Sequence, residues 1–336
     1  MNGIFSTGDM AKFQLLQRNT SLVKSDIARH SSELTTGRTA KISEHLNGEV
    51  GKLGALEHGL AQVEAYNFAG EIAGQSIRIV QSSLQHIQGV LGDLVPGLLM
   101  ATSNGAQDVI GPISNDAAGK FSAIVSVLNT QTGGRHVFSG KATDAPPLAP
   151  AEELVAELQV QIAGSASASE ALPIIENFFL SAGGGFETMA YRGATGDNNA
   201  IKIGKYEQIS NPARADNMAV RKTLMGVAIG ALIDDGLFAS SRSDRQQMLH
   251  SAAENLLNAQ AELSELQGHV GEVEARIEYA QTANQTEKFA LLKARSDLIG
   301  KDEFESAVAL QNAQTRLEAL YTLTSRMSRM SLVDYL

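Results

Sequence analysis

The chain has 336 residues, of which 43% are hydrophobic, 19% charged and 5% aromatic, with no Trp, no Cys and a formal net charge of −10. That apolar content excludes a disordered chain, and the low aromatic content argues against an all-β sandwich. Without Cys there is no disulfide framework, thiolate metal site or cysteine nucleophile, and without a basic stretch there is nothing to neutralise nucleic-acid phosphate.

The first residues, MNGIFSTGDM, lack a basic start followed by an apolar run, so no cleaved secretory signal is expected. Phe13, Leu16, Thr20, Val23, Ile27, His30 and Leu34 then follow the alternating three- and four-residue spacing of a coiled-coil seam. Thr20 and His30 are its weak entries; His30 reads as a helix-contact residue rather than a pH switch. A second periodic run opens with Leu46, Val50, Leu53, Leu60 and Val63 and continues through Ile77, Val80, Leu84, Ile87, Leu91, Leu94 and Leu98. Pro96–Gly97 is expected to break it. A third helix is predicted from about Gln107 to Thr130, with Phe121, Ile124 and Leu128 on one face.

From Thr132 to Pro212 the composition changes to Gly, Ser, Pro and Asn punctuation. A helical patch lies near Glu152–Ile162, and short strands are predicted at Ala200–Ile203 and Tyr206–Ile209. This reads as a small inserted α+β domain. Asp216 to Asp235 reads as a helix stopped by Gly236. Its apolar stretch, Val227–Ile233, is far short of a membrane span, so no membrane insertion is expected.

The longest pattern follows. Leu249, Leu256, Leu263, Val270, Ile277, Asn284, Leu291 and Leu298 recur every seven residues, with Ala252, Ala259, Leu266, Val273, Ala280 and Ala294 as companions. A helix over this stretch would be roughly 80 Å long at about 1.5 Å per residue, which predicts a rod. Asn284 either fixes register at a cost in stability or is a local wet spot. The final seam runs Leu310, Ala313, Leu317, Leu320, Thr324, Met327. The expected fold is therefore mainly α: an elongated rod of long antiparallel coiled-coil helices with paired termini and the small α+β insertion. Its parts are a terminal coiled-coil domain (1–44 and 301–336), a helical-bundle rod (45–143 and 213–300) and an inserted α+β domain (144–212).

A search for chemistry finds little. Gly183–Gly185 lacks the following Lys-Ser/Thr of a phosphate loop and reads as a hairpin. His250 and Glu254 stand four apart with no third ligand, so they read as an exposed helical pair. Glu272, Glu274 and Glu278 read as a solvated acidic face. The Asn-x-Ser/Thr matches at Asn19 and Asn284 fall in predicted helices and carry little information. No catalytic residue, metal site or cofactor is assigned, and no enzyme activity is expected. The terminal helices are different. Each is about three heptads long, too short to be stable alone in water, and together they carry surplus apolar residues such as Leu15, Leu22, Leu332 and Val333. These ends are expected to lock only on assembly. The seam assigned to that role is Phe13, Leu16, Val23, Ile27, Leu34, Leu310, Leu317, Leu320 and Met327.

Specific stretches resemble the flagellin superfamily. LLQRNTSLVKSDIARHSSELTTGRTAKISEH is similar to the family's opening helix with its Leu-x-x-Gly-Arg-like turn, here Leu34 to Arg38. GGRHVFSG at Gly133–Gly140, YRGATGDNNAIKIGKYEQI and the ending LEALYTLTSRMSRMSLVDYL resemble the hook-associated members of the superfamily. The resemblance spans residues 1–143 and 190–336; residues 145–189 match nothing familiar. It implies a structural component of the bacterial flagellum, exported through the flagellar channel without a cleaved signal and located outside the cell at the hook–filament junction. It further implies that the insertion (144–212) faces outward, with self-association in a ring, a hook-associated neighbour on the hook side and flagellin on the filament side. A cytoplasmic export chaperone is expected at Leu310, Leu317 and Leu320. A flagellin-type filament subunit is the alternative; a coiled-coil scaffold unrelated to motility and an enzyme sited in the insertion are more distant ones.

Overall fold

The computed structural model describes residues 7–103, 109–196 and 200–333. Among these the fold is mainly α, as predicted. In chain order come α1 (Thr7–Thr36), α2 (Ile42–His45), α3 (Gly51–Ala101), α4 (Ile110–Leu128), β1 (Gln131–Thr132), β2 (Arg135–His136), α5 (Ala151–Ile162), α6 (Ala168–Leu180), a π-turn (Phe186–Ala190), β3 (Ile201–Lys202), β4 (Gln208–Ile209), α7 (Met218–Asp234), α8 (Arg242–Ile299) and α9 (Glu303–Val333). The strands form two antiparallel hairpins, β1–β2 and β3–β4, the latter where the sequence places it. The chain divides into two compact units, Met1–Glu64 with Gln285–Leu336, and Ala65–Asn284.

The larger unit is built around α7. Asn217 caps it, its side-chain oxygen accepting the Ala219 amide at 2.9 Å. At the far end Gly236 adopts φ +97 and Leu237 N–H returns to Leu232 O, so the helix stops where glycine permits a left-handed turn. Every residue from Val220 to Ile233 except Lys222 is buried. A helix apolar all round must sit inside other elements, and α7 packs against α4 and α6. Gly226 and Gly230 make this possible. A Cβ at Gly226 would lie 2.6 Å from Leu256, and one at Gly230 would lie 2.4 Å from the Ala117 Cβ.

Within this unit α8 runs antiparallel to α3: Gly70 faces Gln281, Gly74 faces Ile277, and Gln88 donates to the Ser264 hydroxyl at 2.8 Å. The heptad positions Leu249, Leu256, Leu263, Val270 and Ile277 are buried, as are Ala252, Ala259, Leu266, Val273 and Ala280. Asn284 is 4% exposed and donates to the Ile203 carbonyl at 2.8 Å. Its polar side chain is satisfied by the backbone of the β3–β4 hairpin, so Asn284 holds a loop rather than creating a wet spot. Replacing Asn284 by Leu is expected to cost about 1–3 kcal/mol, since the Ile203 carbonyl loses its buried donor. Thermal unfolding measures this, and hydrogen exchange should quicken first at residues 200–209.

Three local expectations are corrected. Pro96 does not break α3, which continues to Ala101. Its missing N–H deprives only the carbonyl of Gly92, an exposed residue that water can reach. The third helix, α4, runs to Leu128 and so ends just before the expected Thr130, and its predicted start at Gln107 lies outside the described residues. The GSASASE stretch is not simple punctuation: α6 begins at Ala168, and its first amide donates to Asp244 Oδ1 at 3.0 Å. That carboxylate, in the first turn of α8, caps a helix 76 residues upstream. The Ser241 hydroxyl and the Ala168 amide hold the Asp244 carboxyl below its ordinary value.

Candidate functional site

The smaller unit contains the predicted seam. Here α1 packs against α9 in antiparallel register. At one end Arg38 forms an antiparallel bridge with Gly300, Thr39 N–H donates to Ile299 O at 2.9 Å and Lys301 N–H to Gly37 O at 3.0 Å. Further along, Lys24 Nζ lies 5.9 Å from the centre of the Tyr321 ring. The bridge depends on local sequence: Gly37, at φ +63, turns the chain out of α1, and Asp302 caps α9 by accepting the Glu305 amide at 3.0 Å.

Along this pair Leu16 and Ala313 are buried. Val23, Ile27, Leu34, Leu310, Leu317, Leu320 and Met327 are half-buried, and Phe13 is 57% exposed. The weak seam entries are internally satisfied. Thr20 donates to Leu16 O at 2.8 Å. His30 Nδ1 lies 3.0 Å from Glu33 Oε2 while Arg29 reaches its Nε2 at 3.1 Å. A guanidinium only donates, so Nε2 accepts and Nδ1 donates to Glu33. The outer faces remain apolar: Leu15, Leu22, Tyr321 and Leu323 are exposed. Leu22, Val23, Ala319, Leu320 and Leu323 line a shallow groove between the two helices.

Glu33 is the residue that periodicity missed. It is buried, and its second oxygen accepts the Ala40 amide at 3.1 Å, tying the end of α1 to the chain beyond the turn. Burial pushes its carboxyl up, but the Ala40 amide, His30 and Arg29 together hold it below its ordinary value. A depressed carboxyl stabilises the fold above its unfolded-state pKa, near 4.5, and loses that contribution as pH falls through the lower folded value. Glu33→Gln should therefore lower stability by about 1 kcal/mol at neutral pH. The gap from the unaltered protein should close in acid below that range, which melting curves across pH would check.

Elsewhere the side chains are structural. His250 and Glu254 pair at 3.3 Å on an exposed helix face. Gly183–Gly185 leads into the π-turn, with Gly183 N–H donating to Glu187 Oε2 at 2.9 Å. Among the described residues no three His, Asp or Glu side chains gather to hold a metal ion, and no helix is long and apolar enough to cross a membrane.

A helical chain whose first and last long helices pair, with apolar residues exposed along both, has the architecture of a coiled coil. Residues 239–336, which include α8 and α9, match the family described as the bacterial flagellin C-terminal helical region. Over this region alone the chain is similar to the bacterial flagellins. No curated protein sequence matches it. Among solved structures the chain is similar to Bacillus cereus FlgL, with 14% identity and a TM-score of 0.47, covering 72% of this chain and 99% of that one. It is also similar to a Vibrio parahaemolyticus protein described as a flagellar hook-associated protein, with 14% identity and a TM-score of 0.46, covering 73% and 95%.

Proposed function

We propose that this chain is a structural component of the bacterial flagellum, an adaptor that joins hook to filament by packing its paired terminal helices against those of neighbouring copies. The observation that carries the reading is the α1–α9 pair, whose seam is only half-buried and whose outer faces expose Leu15, Leu22 and Leu323. Each such side chain contributes roughly 1.5–3 kcal/mol once fully covered. A further layer of helices would supply that cover. The match to the flagellin C-terminal region supports the same reading. The neighbours are then further copies in a ring, a hook-associated protein on one side and flagellin on the other. An export chaperone would cover Leu310, Leu317 and Leu320 before secretion through the flagellar channel. Division into terminal, rod and inserted domains belongs to this proposal too, with residues 144–212 facing outward.

The matching family is described as a flagellin region, so a filament subunit is the second reading. Electron microscopy of a deletion strain, with flagellin assayed in the medium, separates the two. Bare hooks with flagellin lost to the medium establish the adaptor. Bare hooks with no flagellin anywhere establish the filament subunit, and ordinary motile flagella reject both. A finer test is the double variant Leu317→Asp, Leu320→Asp. It places two charges in the α1–α9 seam and should abolish incorporation while synthesis continues; immunogold-labelled variant at normal hook tips would count against the seam.

A further inference from the structure

The junction of the smaller unit carries a second surface. Around the Arg38–Gly300 bridge lies a concavity of about 460 Å³, lined among others by Gly37, Arg38, Arg295, Ser296, Gly300 and Lys301. Its walls are paired backbone, fixed by the Thr39–Ile299 and Gly37–Lys301 hydrogen bonds, so it is preformed. Lys301 is neutralised by Glu305 at 2.8 Å. Arg38 and Arg295 have no carboxylate partner among the described residues, and Glu303 is the one carboxylate among those lining the concavity. Two exposed aromatic residues stand near its lining residues in sequence. Phe304, 79% exposed, follows Glu303 directly, and Phe289, also exposed, precedes Ser296 by seven residues and so shares its helix face. Arg lining a preformed hollow, with aromatic residues close by in sequence, is the composition of a protein-binding hot spot.

The same chain carries a complementary surface. Glu274 and Glu278 stand four apart on α8 with no ion pair among the described residues, beside Tyr279, which is 77% exposed. Like charges at this spacing destabilise a helix by a few tenths of a kcal/mol. The hollow presents two guanidiniums without carboxylate partners among the described residues. The carboxylate repulsion is relieved when the acidic face meets this basic one.

We infer that the Arg38–Arg295 hollow of one copy receives the Glu274–Glu278 face of a second copy. The inference rests on the self-assembling role proposed above and names a contact for it. Because the two surfaces differ, the contact is head-to-tail, and it propagates into a ring if the rotation closes and a helical array if it does not.

The absence of Cys gives a direct test with the full-length protein. Purified Ser296→Cys and Ala275→Cys variants are mixed under mild oxidation. A disulfide-linked heterodimer is expected at about tenfold the yield of either variant alone, the size of effect two charge pairs can supply. Adding Arg38→Glu and Arg295→Glu to the Ser296→Cys protein should abolish it. Adding Glu274→Arg and Glu278→Arg to the Ala275→Cys protein as well should restore it, since the charges are then exchanged. Circular dichroism of each variant checks that it is folded. No heterodimer, or one indifferent to charge reversal, overturns the contact. A charge-dependent heterodimer alongside normal flagella in the deletion strain upholds the contact and rejects the flagellar role. Bare hooks without any heterodimer reject the contact alone.

Discussion

Arg221→Met is expected to lower the stability of the larger unit by about 3 kcal/mol, because it strips a buried cation from four partners at once. The guanidinium donates to the Phe179 and Ser181 carbonyls, pairs with Glu187 at 2.9 Å and lies 5.0 Å from the centre of the Phe186 ring. Met keeps the aliphatic volume but takes the donor from the Phe179 carbonyl, leaves Ser181 O with the Gly184 amide alone and strips Glu187 of its cation. The surrounding packing cannot compensate: Phe178, Phe179 and Phe186 are buried and already in contact, with Phe178 and Phe179 edge-on at 5.0 Å. The Gly183 amide and then the Arg221 hydrogen bond also hold the half-exposed Glu187 carboxyl below its ordinary value. Arg221→Lys should fail nearly as badly, since a single ammonium cannot reach partners on both sides as the guanidinium fork does. At roughly 2–4 °C per kcal/mol for a domain of this size, Met at this position should lower the melting temperature by about 6–12 °C. A change under about 0.5 kcal/mol, typical of a surface substitution, would show that the buried fork does not hold the Gly-rich turn.

Gly230→Leu is expected to be at least as damaging. Even an alanine Cβ there would lie 2.4 Å from the Ala117 Cβ, well inside contact distance. Helix propensity alone would favour Ala over Gly by about 1 kcal/mol, so any net loss in Gly230→Ala measures the overlap. Leu cannot be accommodated without parting α4 from α7, and overpacking of this kind costs about 1–3 kcal/mol or more. Chemical denaturation reads the effect. Ala117→Gly in the same chain should recover part of the loss in Gly230→Ala, with a coupling above about 0.5 kcal/mol. Additive effects would mean that the two helices do not meet where these residues lie.

The long helices were legible because their partners repeat as they do. From Leu249 to Ile277 every seventh residue is apolar and every one is buried, so period and burial carry the same information. The terminal pair was legible as a seam but not in its details. Phe13 fits the spacing yet is exposed, and Glu33, which breaks the spacing, is buried because a backbone amide and a histidine wait for it. What stayed hidden depends on distant residues. The start of α6 looks like a Ser-rich loop because its cap comes from Asp244 on another helix. Arg221 reads as one charge at the start of an apolar helix; its value lies in carbonyls some 40 residues away, which no local pattern encodes. The Arg38–Arg295 hollow joins the end of α1 to the end of α8, and no sequence window contains both.

The pairing of α1 with α9 also sets a timetable. The partner of α1 begins roughly 270 residues later, so at a synthesis rate of about 5–20 residues per second the first helix emerges and then waits for tens of seconds. During that interval α4 to α7 can already close around their own core. Helix α1 is matched only once α9 has been made, and until then its apolar stripe is open to whatever surface it meets. Completing the pair covers the inner seam and leaves Leu15, Leu22 and Leu323 as the apolar surface still to be matched.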